Sequence, residues 1–214
     1  MTPNAIVFDF DGTIADTEWP VFIMMRTAFR SHGLDIALDE WVGTIGRADN
    51  GTLEDVLRKA LGRDADPEVI EQARNRHHAT RHTTPMLPGV IELIGAARAA
   101  GLPLAIASSS PSHWVEAHLD RLEILHHFDA VRTRDHVDHG KPAPDLFLAA
   151  SAALDVDPAT IVAIEDSRHG CASAKAAGMT CIVVPNRITR LDIARDADLV
   201  LDSLADFPYE RFGL

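Results

Sequence analysis

The chain has 214 residues, 46% of them apolar and 24% charged, proportions that allow one buried core, or one domain carrying an insert. Its 32 acidic residues against 20 Lys plus Arg leave a net charge of −12, which argues against the basic footprint of a nucleic-acid or anionic-membrane binder. Only two cysteines occur, Cys171 and Cys181, neither with a zinc-ligand partner at the right spacing, and neither an N-terminal leader pattern nor a run near the roughly 18 apolar residues of a membrane span is present, so a cytoplasmic protein is expected.

In chain order, Ala5-Ile6-Val7-Phe8 is the first strand-like run. From Thr17 to about Met86 no strand is legible, only helical segments near 19–32, 52–61 and 67–82, with Phe22, Met25 and Phe29 as a core-facing apolar stripe at helical spacing. The remaining chain alternates. Strand-like runs at 104–107, 130–131, 161–164, 181–184 and 199–201 are separated by helix-length segments at 89–100, 145–154 and 169–177, several with Pro at the start or Gly just past the end. Strands that are apolar at successive positions and alternate with helices predict an α/β fold with a Rossmann-like parallel sheet, buried on both faces. The expected organisation is therefore a core of residues 1–16 and 86–214, interrupted after its first strand by a small helical cap at 17–85.

The most informative segment is Asp9-Phe10-Asp11-Gly12-Thr13, where a buried-looking strand runs directly into two carboxylates. Two acids so placed can hold one divalent cation and divide the roles of nucleophile and acid/base. Alone, this pair is equally a turn or a surface site. Three other polar clusters also lie just beyond strands: Ser108-Ser109-Ser110, Gly140-Lys141-Pro142 and Glu165-Asp166-Ser167. A parallel sheet gathers these ends at one edge, making a cleft suited to Mg²⁺ and phosphate.

Through Asp9-Phe10-Asp11-Gly12-Thr13, Ser108, Lys141-Pro142-Ala143-Pro144-Asp145 and Glu165-Asp166-Ser167-Arg168-His169-Gly170, in this order and spacing, the sequence resembles the haloacid dehalogenase superfamily, in particular its phosphatase and β-phosphoglucomutase-like branch. The resemblance implies that Asp9 is the nucleophile and becomes an aspartyl-phosphate, while Asp11 is the proton donor and later activates water. It implies that Ser108 and Lys141 hold the phosphoryl oxygens, and that Thr13, as a supporting hydroxyl, and Ser109 contact the substrate. Mg²⁺ would be held by Asp9, the Asp11 backbone carbonyl, Asp166 and Glu165, directly or through water. In the segment Gly43 to Asn50, which resembles the family's cap loop, Arg47, Asp49 and Asn50 are the expected substrate readers.

The implied activity is a Mg²⁺-dependent phosphatase acting on a small phosphate ester, a sugar phosphate or similar metabolite, with no nucleic-acid or membrane partner, as a monomer or weak dimer. The alternatives are a β-phosphoglucomutase-like mutase and a metal-binding regulatory protein that lost its chemistry. Trp19-Pro20-Val21 stands where the mutases resemble one another in a histidine, and Asp49 about where they have an arginine, which favours the phosphatase. His77, His78 and His82 read as solvated, His136 and His139 as shaping the turn before Lys141, and His169 as a polar helix entry.

Overall fold

The computed structural model describes residues 2–43, 45–46, 51–80 and 83–214. Strand β1 (Ala5–Phe8) is followed by four helices, α1 (Glu18–Ser31), α2 (Leu38–Val42), α3 (Leu53–Leu61) and α4 (Pro67–Thr80). The chain then runs through α5 (Val90–Ala99), β2 (Leu104–Ala107), α6 (Ser112–Arg121), β3 (Ala130–Arg132) and α7 (Asp145–Leu154). It ends with β4 (Ile161–Glu165), α8 (Arg168–Ala176), β5 (Thr180–Val183), β6 (Leu199–Val200) and α9 (Tyr209–Phe212). The six strands form one all-parallel sheet in the order β3-β2-β1-β4-β5-β6. The α/β expectation holds. No helix among the described residues is long and apolar enough to cross a membrane.

Side chains alternate across a strand, and the two faces of this sheet carry different sizes of residue. Ile6, Phe8, Leu104, Ile106, Val162, Ile164 and Ile182 face a core completed by Leu93 and Ile94 of α5 and Val115 and Leu119 of α6. Ala5, Val7, Ala105, Ala107 and Ala163 face Leu146, Phe147 and Ala150 of α7 and Cys171 and Ala174 of α8. Small residues on that face allow the Ala-rich helices to pack close. Each large side chain removed from water contributes about 1.5–3 kcal/mol.

Helices α1–α4 gather round a third apolar cluster, including Phe22, Met25, Phe29, Trp41, Leu57 and Ile70, as the helical stripe predicted; Ile188, from the loop after β5, is buried in it too. Helices α2 and α6 were not foreseen. The first is only five residues long, and the second follows Pro111 in a polar stretch whose Val115 and Leu119 mark one apolar face.

Candidate active site

The register Phe8↔Ile164 makes Asp9 and Glu165, the next residue of each chain segment, neighbours at the carboxyl edge, and the Asp9 N–H donates to Ile164 O at 2.8 Å. This is also where the strand order turns back on itself, the usual ligand crevice of such sheets. Lys141, reached through a loop that includes the cis Lys141–Pro142 peptide, donates from Nζ to Asp9 Oδ1 and, at 2.6 Å, to Glu165 Oε1. Asp9, Lys141, Glu165 and Asp166 are 6%, 3%, 0% and 2% exposed. Burial, with Glu165 and Asp11 adding to it, pushes the Asp9 carboxyl up to about 7 against the pull of Lys141. Burial works against the Lys141 charge, but Asp9 and Glu165 together hold the ammonium above the usual lysine range.

Glu165 is fixed through its other oxygen. Oε2 accepts from the backbone N–H groups of Asp166 and Ser167 at 3.1 and 3.3 Å and from Ser167 Oγ at 3.2 Å, at the N-terminus of α8. Ser167 caps the helix by accepting from Gly170 N–H at 3.0 Å. Gly170 itself is obligatory, because a Cβ there would lie 1.9 Å from Glu165 Oε1. Asp166 accepts from Asn186 Nδ2 at 2.7 Å, and burial, then Glu165 and Asp9, raise its carboxyl well above the ordinary range. Gly12, at φ +84°, leaves room for that pair: a Cβ would meet Asn186 Nδ2 at 2.5 Å. Asp9, Glu165 and Asp166 each offer an oxygen, all within 4.8 Å of one another, and so form a candidate cation site.

The Asp11 carboxylate stands outside that cluster and is itself enclosed by donors. Oδ1 accepts from Thr17 Oγ1 at 2.8 Å and Trp114 Nε1 at 2.9 Å; Oδ2 accepts from Ser110 Oγ at 2.6 Å and Ser108 Oγ at 3.2 Å. The Ser108 N–H pairs with Arg132 O at 2.9 Å, so β3 fixes the backbone from which this hydroxyl projects.

A cleft of about 340 Å³ opens from Asp9, Asp11 and Asp166 toward Val21, Met24, Met25, Trp41 and Ile45 on the helical side. Half-buried Glu18, the first residue of α1, also lines it, and burial, with Asp11, Asp9 and Asp16 nearby, pushes its carboxyl well above the ordinary range. The loop before α3 is tied to the core: His169 Nδ1 bonds Ile45 O at 2.9 Å, and Ser109 Oγ donates to Gly46 O at 3.3 Å.

The structure thus brings Asp9, Asp11, Ser108, Lys141, Glu165 and Asp166 together. Ser109 lines the cleft, but its hydroxyl is engaged by Gly46. Thr13, expected at the substrate, lies instead beside a second cavity of about 350 Å³ bordered by Asn186, Arg187 and Arg190, and it is 3% exposed. Arg47, Asp49, Asn50 and His82 fall outside the described residues. His77, expected to be solvated, is half-buried, lines the cleft and stacks on Trp114 with ring centroids 5.4 Å apart; His78 is exposed, as expected. His136 accepts from Thr133 N–H at 3.1 Å and so braces the turn before Lys141, and exposed His139 pairs with Asp145 at 3.1 Å. Sequence reasoning missed Glu18, Trp114 and Asn186, and it placed Ser110 in the polar cluster after β2 without giving it a role of its own. Asn186 lies just beyond β5, so the same strand-end logic would have found it, whereas nothing local marks Trp114.

The sequence model of the haloacid dehalogenase-like hydrolases matches residues 6–184. YhcW of Bacillus subtilis (strain 168) is 36% identical over 204 residues, 95% of this chain and 93% of that one. Hexitol phosphatase B of Escherichia coli (strain K12) is 35% identical over 185 residues, 85% of this chain and 83% of its own. Among solved structures, CbbY from Rhodobacter sphaeroides in complex with phosphate superimposes with a TM-score of 0.78 at 31% identity over 97% of both chains. A CbbY variant bound to xylulose-(1,5)bisphosphate gives the same TM-score of 0.78 at 30% identity, again over 97% of both chains. With the motifs of the sequence now seated around one cleft, the chain belongs to the haloacid dehalogenase-like hydrolases, as an enzyme of their phosphatase and β-phosphoglucomutase-like branch.

Proposed function

We propose that this enzyme is a Mg²⁺-dependent phosphatase that hydrolyses a small phosphorylated metabolite of the sugar-phosphate class through an aspartyl-phosphate on Asp9. The observation that carries this reading is the buried cluster of Asp9, Glu165 and Asp166 around a single ammonium, Lys141, at the floor of a cleft. Its donors are all oxygens, and among the described residues three carboxylates against one cation leave negative charge to balance, which fits a hard divalent ion. Hexitol phosphatase and the xylulose bisphosphate complex of CbbY support the sugar-phosphate class.

In this mechanism Lys141 and Ser108 hold the phosphoryl oxygens, so that Asp9 faces phosphorus in line with the leaving oxygen. An Asp9 oxygen forms the bond to phosphorus, the ester P–O bond breaks, and Asp11 gives its proton to the departing oxygen. Asp11 then takes a proton from water as the water oxygen attacks phosphorus, releasing inorganic phosphate and restoring Asp9. Bound Mg²⁺ supplies positive charge that keeps Asp9 ionised and offsets the repulsion between carboxylate and phosphate. Asp9, the Asp11 backbone carbonyl, Glu165 and Asp166 are the residues proposed to hold it.

Residues 17–85 act as a cap on a core of 1–16 and 86–214, closing the cleft against bulk water, with the two connections near 16–19 and 84–89 as hinges. Two core arginines support these hinges: Arg187 bonds Asp16 and lies 4.4 Å from the Trp19 ring centroid, and Arg121 donates to Thr84 O at 2.6 Å. The test is a phosphate-release screen over sugar phosphates, polyol phosphates and nucleotides with and without Mg²⁺. A parallel assay of β-glucose 1-phosphate with glucose 1,6-bisphosphate decides against the mutase alternative. Rapid glucose 6-phosphate formation with little phosphate release would overturn the phosphatase reading.

A further inference from the structure

We propose that Trp114 is a positioning residue for Asp11, which fixes the carboxyl oxygen that carries the transferable proton and ties this assignment to the helical side of the cleft through His77. The inference rests on the roles given above to Asp9 and Asp11.

Of the four donors around Asp11, three are hydroxyls: Thr17, Ser108 and Ser110. A hydroxyl can turn and accept, but an indole N–H can only donate. Whatever the protonation of Asp11, the oxygen facing Trp114 Nε1 at 2.9 Å is therefore kept as an acceptor. When Asp11 takes up a proton, that proton is directed to Oδ2, where Ser108 and Ser110 can reverse their hydroxyls to accept from it. Ser108 is also the residue proposed to hold a phosphoryl oxygen, so Oδ2 is the side of the carboxyl nearest the transferring group. From Oδ2 the proton passes to the leaving oxygen as its bond to phosphorus breaks, and to Oδ2 it returns from the attacking water.

The indole is held firmly enough to impose this choice. His118, one turn further along α6 and wholly buried, lies with its ring 4.3 Å from that of Trp114 and bonds Trp114 O through Nδ1 at 2.8 Å. Its second aromatic neighbour comes from a different part of the chain: His77 of α4 stacks on it at an interplanar angle of 16°. A displacement of α4 relative to α6 would remove this stack. The orientation of Asp11 thus responds to the position of the helices above the cleft.

The experiment compares kcat/KM for two esters of similar shape, benzyl phosphate, whose alkoxide needs a proton to leave, and p-nitrophenyl phosphate, whose phenolate does not. Trp114→Phe keeps an aromatic ring against His77 and His118 but deletes the donor. It is expected to lower kcat/KM for benzyl phosphate on the order of 10–100-fold, with a change under about threefold for p-nitrophenyl phosphate. His77→Ala, which leaves the indole in place, is expected to give a smaller loss with the same ester preference, and it decides the question if Trp114→Phe fails to fold by circular dichroism. An equal loss on both esters, or none on benzyl phosphate, overturns the proposal. Asp11→Asn separates the two levels. If it too loses both esters equally, Asp11 is not the proton donor; if it is selective and the Trp114 and His77 variants are not, only the inference about Trp114 fails.

Discussion

The two walls of the cleft are built on different principles. On the sheet side, Asp9, Ser108, Lys141, Glu165 and Asp166 are all buried and are held by strand ends, a helix N-terminus and one another. On the helical side, Val21, Met24, Met25, Trp41 and Ile45 present an apolar surface relieved by Glu18 and His77. Charges need a rigid, water-poor frame to act on a phosphoryl group, and the parallel sheet supplies one. Methionines and aliphatic side chains adapt to ligand shape, so the helical wall is suited to selecting the leaving group. Under the proposed function, the chemistry and the choice of substrate are thus carried by different parts of the chain.

The largest test of this contrast is Asp9→Asn, which keeps the shape of the side chain but removes its charge. A loss of turnover on the order of 10⁴-fold or more is expected, on every ester tried, with an unchanged circular dichroism spectrum. Turnover at the parental rate would remove the sheet wall from the chemistry. Chelation comes next: EDTA should abolish activity reversibly, Mg²⁺ should restore it, and Ca²⁺ should inhibit, since the larger ion takes more oxygen ligands and draws the carboxylates from attack geometry. Full turnover after exhaustive chelation would break the metal assignment.

A third measurement addresses the stability of the sheet wall. Removing Lys141 leaves buried carboxylates without their cation, so Lys141→Met is expected to destabilise the fold by about 3–5 kcal/mol at pH 8. The sign of the pH dependence follows from Asp9, which is raised to about 7 in the fold. The folded state binds a proton there that the unfolded chain, with a carboxyl near 3.9, has released, so stability falls as pH rises from about 4 to about 7. The Tm of the parent without divalent cation should therefore be higher at pH 5 than at pH 8, and the gain on adding Mg²⁺ should be larger at pH 8. A Mg²⁺ gain that does not grow with pH would break this linkage. The smallest effect is expected from the opposite wall. Met24→Ala should alter the ratio of kcat/KM between two sugar phosphates by about tenfold or less while leaving hydrolysis of p-nitrophenyl phosphate close to parental. A uniform loss on all esters would place Met24 in the chemistry and blur the contrast.

Much of the sheet wall was legible in the sequence because each part is local: an apolar run of four, then a polar cluster whose position at a strand end follows from the run itself. Ala5–Phe8 leading to Asp9 and Ile161–Glu165 leading to Asp166 are read this way. The helical wall was less legible. Phe22, Met25 and Phe29 announced an amphipathic helix, but His77 looked like one of three solvated histidines, since the ring that covers it belongs to a helix far along the chain, outside any local repeat.

 The covering ring is Trp114 of α6, whose own Pro-led, polar first turn carries no sign of a contact with Asp11.

The sequence by itself determined the parallel α/β core, the strand ends that carry Asp9, Asp11, Ser108, Glu165 and Asp166, and the helical character of the insert, because periodicity and strand-end position are properties of neighbouring residues; Lys141, expected just beyond a strand, comes instead from the long loop between β3 and α7. Only the tertiary structure decided that Thr13 borders a second cavity, that Asn186 braces Asp166, that Ile188 is buried among the helices of the insert, and that Trp114 joins Asp11 to His77. Each of these pairs residues far apart in the chain, and their contact depends on how strands and helices cross at the edge of the sheet. No local pattern encodes that crossing; the packing of the two apolar faces and of the helical cluster fixes it.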